Sequence, residues 1–397
     1  MLVCAEAGGC ESVFESSARL TAFLAFPDYP CQYFLDYSSS IFSALRSPLT
    51  VYTAYLFIMK TVLITGITGQ DGFFLSRFLL EKGYDVHGII QQDNKESTGA
   101  LRYLDPAERA CVHLHCGDVT DRAFIDGLFQ EIPFDEIYHF AAQSSVGLSF
   151  QNPRLTHDVN IMGTLHVLNS LKEHRPQARL YFAATSEMFG RTQPSPQNEE
   201  TAFHPRSPYG VSKLAGFWTV KNYREAYGLF LVNGILFNHE SEYRGEEFVT
   251  KKIARAVARI ANGSEEALTV GNLDAKRDWG YAGEYVDGMW RMLQQEQPDD
   301  YILATGKNHS VKDYISSAFR HVGMTVLWSG EGRDEVGIDE KNGRMLVRID
   351  PKLFRPSEID ELVGDASKAE RVLGWKAQVD FDGLVRIMVE HERRNLA

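Results

Sequence analysis

The sequence predicts an α/β fold, a doubly wound parallel sheet with a smaller C-terminal domain. Thr61 to Thr65, TVLIT, is a short β-branched and apolar run, the pattern of a strand buried on both faces. Similar runs follow at DVHGII, VHLHC, EIYHF and ARLYFAA, separated by amphipathic stretches such as FFLSRFLLEKGY and IMGTLHVLNSLKEH. Strands alternating with helices of this length imply a parallel sheet. At 397 residues the chain can bury a large core and divides into subdomains.

Residues 1 to 58 fit none of this. Their charged residues, Glu6, Glu11, Glu15, Arg19, Asp28, Asp36 and Arg46, are scattered among aromatic and small residues with no sustained helical or strand period. A secretory signal needs a basic start and a compact apolar run, and a transit peptide is Arg-rich and poor in acids. Here three glutamates outnumber Arg19 in the first 20 residues. MKTVLITG, from Met59, reads as a natural start, so residues 1 to 58 are expected to be an appended or mis-called extension.

After TVLIT come Gly66, Gly69 and Gly72, in GITGQDG, and then the amphipathic stretch that ends at Gly83. Strand, tight glycine turn, helix is the arrangement in which a backbone without side chains approaches a pyrophosphate and a helix N-terminus supplies donors. In this context the glycines point to a bound dinucleotide in a Rossmann-type half. The end of the second strand ordinarily carries an acid for a ribose hydroxyl or an arginine for a 2′-phosphate. It reads Gln91-Gln92-Asp93-Asn94, which satisfies neither rule. Asp118 and Val119 follow the third strand, where an adenine-contacting turn belongs, and the small residues Ala141 and Ala142 end the fourth.

Ligands of a doubly wound sheet bind outside the carboxyl ends of its strands. ARLYFAATSE puts Thr185, Ser186 and Glu187 there, and a carboxylate in that position needs solvent or a partner. Tyr209 and Lys213 lie four positions apart in SPYGVSKLAGFW, and a helix starting after Pro208 brings both to one face. A nearby cation is expected to pull the tyrosine below its usual ~10 toward the range of a general base.

Composition narrows the function classes. A formal charge of −12 argues against general affinity for nucleic-acid phosphates. Mean hydropathy is −0.25, and there is no run of about 18 apolar residues to span a bilayer, so no membrane partner is expected. Five cysteines, three of them Cys4, Cys10 and Cys31, fit a reducing cytoplasm. Cys111 and Cys116 have neither zinc-knuckle nor redox-dithiol spacing. His113 and His115 alternate along a strand with no other ligand cluster nearby in sequence, so no metal site is expected.

TGITGQDG, TSE, RSPYGVSK, NYREAYG, NGILFNHES, FVTKKI, GNLDAKRDWG, PDDYILATG and FRPSEID together resemble the extended short-chain dehydrogenase/reductases and, within them, the GDP-mannose 4,6-dehydratase family. The resemblance runs from about Met59 almost to the C-terminus. It implies a dinucleotide-binding domain over residues 59 to 240 and a mainly substrate-binding domain over 241 to 397, with 300 to 306 returning to the first. It further implies redox-neutral dehydration of a GDP-hexose. Tyr209 would take the proton from the hydroxyl on sugar carbon 4, and Lys213 would tune Tyr209 and hold the cofactor ribose. Glu187 would carry the elimination of water across carbons 5 and 6, and Thr185 would hold the substrate near the reacting hydroxyl.

By the same resemblance Gly66, Ile67, Thr68, Gly69, Gln70, Asp71, Asp118, Val119, Ala141, Ala142, Gln143, Ser144, Lys213, His239 and Arg244 line the cofactor site. Asn238, Val249, Lys252, Arg277 and Arg355 would meet the GDP-sugar. The implied cofactor is NADP. Family members commonly carry two arginines where this chain has Gln91 and Gln92, and an Arg pair where it has Tyr243-Arg244, which leaves NAD open. A homo-oligomer, dimer or tetramer, is implied as well. Other readings are a dehydratase of another GDP-sugar such as a GDP-heptose, a nucleotide-sugar 4-epimerase, which would lack a carboxylate at Glu187, and a non-catalytic dinucleotide sensor, which would lose the catalytic set. A chain begun at Met59 is expected to fold and to keep its activity, and loss of either in a circular-dichroism and turnover assay would overturn the reading of residues 1 to 58.

Overall fold

The computed structural model describes residues 20–24, 33–37, 59–91, 99–191, 195–354, 357 and 359–396. The chain forms two compact units, Met1–Met59 and Lys60–Ala397. In the first, Leu20–Leu24 pairs antiparallel with Tyr33–Tyr37. Each strand has only five residues, too short for alternation to be recognised as a period in a sequence this mixed.

In the second unit, the strands that build the sheet and its rim are β1 Thr61–Thr65, β2 Asp85–Ile90, β3 Val112–Cys116, β4 Glu136–His139, β5 Arg179–Thr185, β6 Leu231–Leu236, β7 Asn238–Glu240, β8 Trp279–Tyr281 and β9 Asp300–Leu303. Seven of them form one parallel sheet in the order β9-β6-β5-β4-β1-β2-β3. β7 and β8 form a separate parallel pair. The chain runs from β1 outward through β2 to β3 and then crosses back to lay β4 on the other side of β1. That reversal opens a crevice at the carboxyl ends of β1 and β4, the place where ligands bind in such sheets.

Both faces of the sheet are covered, which is why its strands read as unbroken apolar runs. On one face α1, Gln70–Glu81, buries Phe73, Leu75 and Leu79 with Tyr285, Val286 and Met289 of α6, Ala282–Leu293. On the other, α2, Arg122–Glu131, α3, Gly163–His174, and α4, Pro208–Tyr227, bury Leu128, Phe129, Val167, Leu171, Phe217 and Val220. A second core lies between α5, Val249–Ala261, α7, Val311–Arg320, α8, Phe381–Leu396, and a four-stranded sheet; it holds Ile253, Val257, Phe319, Leu346, Leu384 and Met388. After residue 241 the chain therefore supplies this second core and also α6 and β9 to the first layer.

One buried ion pair ties α4 to the returning strand. Arg224 donates to both oxygens of Asp300, at 2.9 and 3.0 Å, and Asn233 Nδ2 donates to Oδ1 at 2.9 Å. Both charged side chains are nearly enclosed, so removing one partner strands the other without water. Asp300→Ala is expected to destabilise the fold by about 3–5 kcal/mol in denaturant unfolding, far more than an exposed ion pair would lose.

Candidate active site

The site begins at the glycine turn. Gly66 has φ +72°, a left-handed conformation that a side chain disfavours, and a Cβ there would lie 2.8 Å from the backbone nitrogen of Ala141. Gly72 lets α1 pack onto the turn, since a Cβ would come within 2.3 Å of the Ile67 carbonyl. Ile67 is fully buried, Thr68 accepts from the Ala100 N–H, and Gly69 caps α1.

A directed hydrogen-bond chain runs beneath the turn. Ala141 N donates to Thr65 Oγ1 at 3.1 Å, leaving the Thr65 hydroxyl to donate to His139 Nδ1 at 2.7 Å. His139 Nε2 then donates to Thr164 Oγ1 at 3.0 Å, and Thr164 donates to the Asn160 carbonyl. This fixes His139 as the neutral Nε2–H tautomer. Burial, and after it the charge of Lys213, pushes its pKa down to about 3. Asn160 lies in a single π-type turn, Asp158–Met162, and bonds both the carbonyl and N–H of Gln143 and the hydroxyl of Ser212. Ser212 in turn donates to the Tyr209 carbonyl.

Tyr209 and Lys213 stand one turn apart near the start of α4, whose N-cap is Ser207. Tyr209 is hydrogen-bonded to Thr185 at the end of β5 and feels the charges of Glu187, Arg244 and Asp71. Glu187 sits in the short turn Ser186–Met188, whose cap is the Thr185 hydroxyl, and is only 7% exposed. Its carboxylate lies 3.9 Å from Arg277 Nε, while Arg277 Nη1 donates to the carbonyls of Lys276 and Ile359. The expected lowering of Tyr209 by Lys213 is not what the geometry produces. Burial pushes the phenol up to about 12 despite Thr185 and Arg244. Lys213 Nζ is turned to the Ala183 carbonyl at 2.8 Å, and burial brings it down to about 8.

A second cluster closes the crevice. His239 Nε2 lies 3.0 Å from Asp71 Oδ2 and stacks on Tyr285, while Gln70 donates to the His239 carbonyl and accepts from Ser241. Arg244 lies over Phe248 and 3.1 Å from Glu240. Gln70 and Asp71 thus join the glycine-turn helix to the strand carrying Asn238. Asp118 accepts from Thr120 and, at 2.7 Å, from Gln91. Val119 is buried with its carbonyl on His166, and Ala142 and Ser144 follow β4 on the same rim.

The structure thus gathers Thr185, Glu187, Tyr209, Lys213, Asp71, His239 and Arg244, and puts Arg277, expected to meet the GDP-sugar, beside Glu187. Val249 and Lys252 are exposed on the first turn of α5. Gln92 and Arg355 lie outside the described residues. Sequence reasoning missed His139 and Asn160. Asn160 and Thr164 share the buried stripe of Val167 and Leu171, and polar residues on an apolar stripe are the signal that could have found them.

A family model described as GDP-mannose 4,6 dehydratase matches residues 63–388. The chain belongs to this family. GDP-mannose 4,6 dehydratase of Cricetulus griseus is 48% identical over 337 residues, 83% of this chain and 91% of that protein. The Homo sapiens protein is 48% identical over 83% and 90%, and GDP-mannose 4,6-dehydratase of Sinorhizobium fredii 48% over 84% and 96%. Among solved structures, UDP-glucose 4-epimerase of Bifidobacterium longum in complex with NAD+ and UDP aligns with TM-score 0.70 at 26% identity, over 85% of this chain and 99% of that one. UDP-glucose 4-epimerase of Thermus thermophilus, also at 0.70 but 22% identical over 84% and 99%, shares the fold. The chain thus shares its fold with these epimerases.

The Asp71–His239 pair makes a titration prediction. Burial opposes the charge on His239, but Asp71 outweighs it and the imidazole pKa is raised; burial likewise opposes the Asp71 carboxylate, and His239 and then Arg244 hold it below its ordinary value. The raised His239 contributes stability that is complete below its unfolded value of about 6.5 and is lost as pH rises through the folded value. The lowered Asp71 contributes above about 3.8 and is lost as pH falls through its folded value. The tie is therefore at full strength between these limits. In NMR titration the His239 midpoint should lie above that of an exposed histidine and should fall in Asp71→Asn, where burial and Arg244 remain; an unmoved midpoint would contradict the pairing.

Proposed function

We propose that this chain converts GDP-mannose to GDP-4-dehydro-6-deoxymannose with loss of water, by residues at the carboxyl ends of β5 and the start of α4. The observation that carries the reading is Glu187, a buried carboxylate placed with Thr185 against the Tyr209 phenol. A tyrosine can serve an oxidation at carbon 4 alone, whereas elimination needs a second acid–base group within reach.

A dinucleotide fits the crevice. Gly66 leaves room only for backbone beside Ala141, and two buried acceptors on this rim, Asp71 Oδ1 and Gln143 Oε1, have no protein donor. The nicotinamide dinucleotide held there would supply hydride acceptance from carbon 4 and its return at carbon 6, together with positive charge beside the Tyr209 phenol. Gly66 to Asp71, Asp118, Val119, Ala141 to Ser144, Lys213, His239 and Arg244 would hold it. Thr185 orients the carbon-4 hydroxyl, and Tyr209 takes its proton. The ketone so formed acidifies carbon 5. Glu187 removes that proton and protonates the departing carbon-6 hydroxyl, which leaves as water, and Tyr209 then gives carbon 5 the proton it took from the carbon-4 hydroxyl. Arg277 holds Glu187 in place, and Lys213, fixed on Ala183, keeps positive charge near the phenol. Asn238, Val249, Lys252, Arg277 and Arg355 are assigned to the GDP-sugar.

The cofactor is assigned as NADP from the family. NAD is the second reading, favoured by Gln91, which bonds the Asp118 carboxylate and brings no positive charge for a 2′-phosphate. Incubated with GDP-mannose and either cofactor, the protein should yield a product lighter by one water in mass spectrometry, faster with NADP+. Unchanged sugar or only a 4-epimer would defeat the reading, and faster turnover with NAD+ would reverse the cofactor assignment. Glu187→Gln should still bind GDP-mannose in calorimetry but lose dehydration by roughly 10²–10⁴-fold; undiminished turnover would remove Glu187 from its role.

A further inference from the structure

We infer that the edge of the large sheet carries a site for a zinc-class divalent cation, formed by Asp85, His87 and His113 with His115 bracing His87. The four residues come from two neighbouring strands. β2 and β3 pair in parallel with His87 opposite His113 and Ile89 opposite His115, so Asp85, His87, His113 and His115 share one face of the sheet. His87 Nε2 lies 3.2 Å from Asp85 Oδ2 and His113 Nε2 3.1 Å from Asp85 Oδ1. Two imidazole nitrogens and one carboxylate thus converge, with one donor atom from each residue within 4.8 Å of the others. Ligands of a tetrahedral zinc ion stand roughly 3.3 Å apart at Zn–N distances of about 2.0–2.1 Å, so small side-chain rotations would close the set.

The surroundings suit a ligand set better than a simple hydrogen-bonded pair. His87 is nearly enclosed and is held from behind: its Nδ1 lies 2.9 Å from His115 Nε2, and the edge of Phe134 packs on its ring. His115 Nε2 can accept from His87 Nδ1–H, which lets a cation replace the proton that His87 Nε2 directs at Asp85. Its ring stacks on His113 at 4.7 Å and on His115 at 5.2 Å. Protons on all three would place like charges against one carboxylate, whereas a cation is bound by neutral imidazoles. His113 is half exposed, which gives a metal access and leaves space for water as a further ligand. Imidazole and carboxylate donors select zinc, nickel, cobalt or copper over magnesium or calcium.

Asp85 opens β2, at the opposite end of the sheet from Gly66 and Tyr209, so the cation would fasten β2 to the edge strand β3 and take no part in turnover. Asp85 and His87 are remote from the His113-His115 pair along the chain, so no ligand spacing marks the site in sequence. Untagged protein, stripped with chelator, is to be titrated with Co2+ under visible absorption and with Zn2+ by calorimetry. One Co2+ per chain should bind with the intense bands of a tetrahedral site and be displaced by Zn2+. His113→Gln, on a half-exposed side chain, should weaken binding at least tenfold, His115→Gln by roughly 10–100-fold, and neither should alter dehydratase turnover. Saturating Zn2+ should raise the melting temperature of the wild type and leave His113→Gln unmoved. Absence of saturable binding, or equal affinity in the wild type and His113→Gln, would overturn the site.

Discussion

Between Gly66 and Ala141 there is no room for a methyl group, and the crevice depends on that approach. It is held from below by Thr65, which takes the Ala141 N–H and gives its own proton to His139. The same chain passes through Thr164 and Asn160 to Gln143 and Ser212, so the glycine turn, the end of β4, the start of α3 and the start of α4 are fixed relative to one another. Thr65, His139, Thr164 and the Asn160 side chain are each hydrogen-bonded within this buried chain, which is the condition under which such a network rigidifies a core instead of weakening it.

Burial then does two opposite things to the groups that line the crevice. It raises Tyr209 and lowers Lys213, because each loses the hydration of its charged form. Asp71 and His239 escape the same fate only because they are charged together. The Arg277 guanidinium lies 3.9 Å from the Glu187 carboxylate. Burial therefore keeps the Tyr209 phenol protonated.

Much of this was legible along the chain. TVLIT, DVHGII and ARLYFAAT are strands because their unbroken apolar runs suit burial on two faces, and GITGQDG is a turn because only glycine meets its close approaches. SPYGVSK placed Tyr209 and Lys213 on one helical face through Pro208 and the Ser207 cap. The strength of the Tyr209–Lys213 coupling was not legible, since spacing fixes which face a side chain shares and not which carbonyl it finds. Asn160 was missed because it is a polar residue on the buried stripe of Thr164, Val167 and Leu171, and hydrophobic periodicity picks out the apolar members of such a stripe.

The sequence by itself determined the class of fold, the glycine turn, the helix bearing Tyr209 and Lys213, and the family, because these rest on local periodicity, backbone freedom and dispersed motifs. Only the tertiary structure decided that Arg277 flanks Glu187, that His239 pairs with Asp71, and that Asp85 and His87 meet His113. Those encounters join residues far apart in the chain, and their distances are set by strand order and register, which are decided by how the whole core packs.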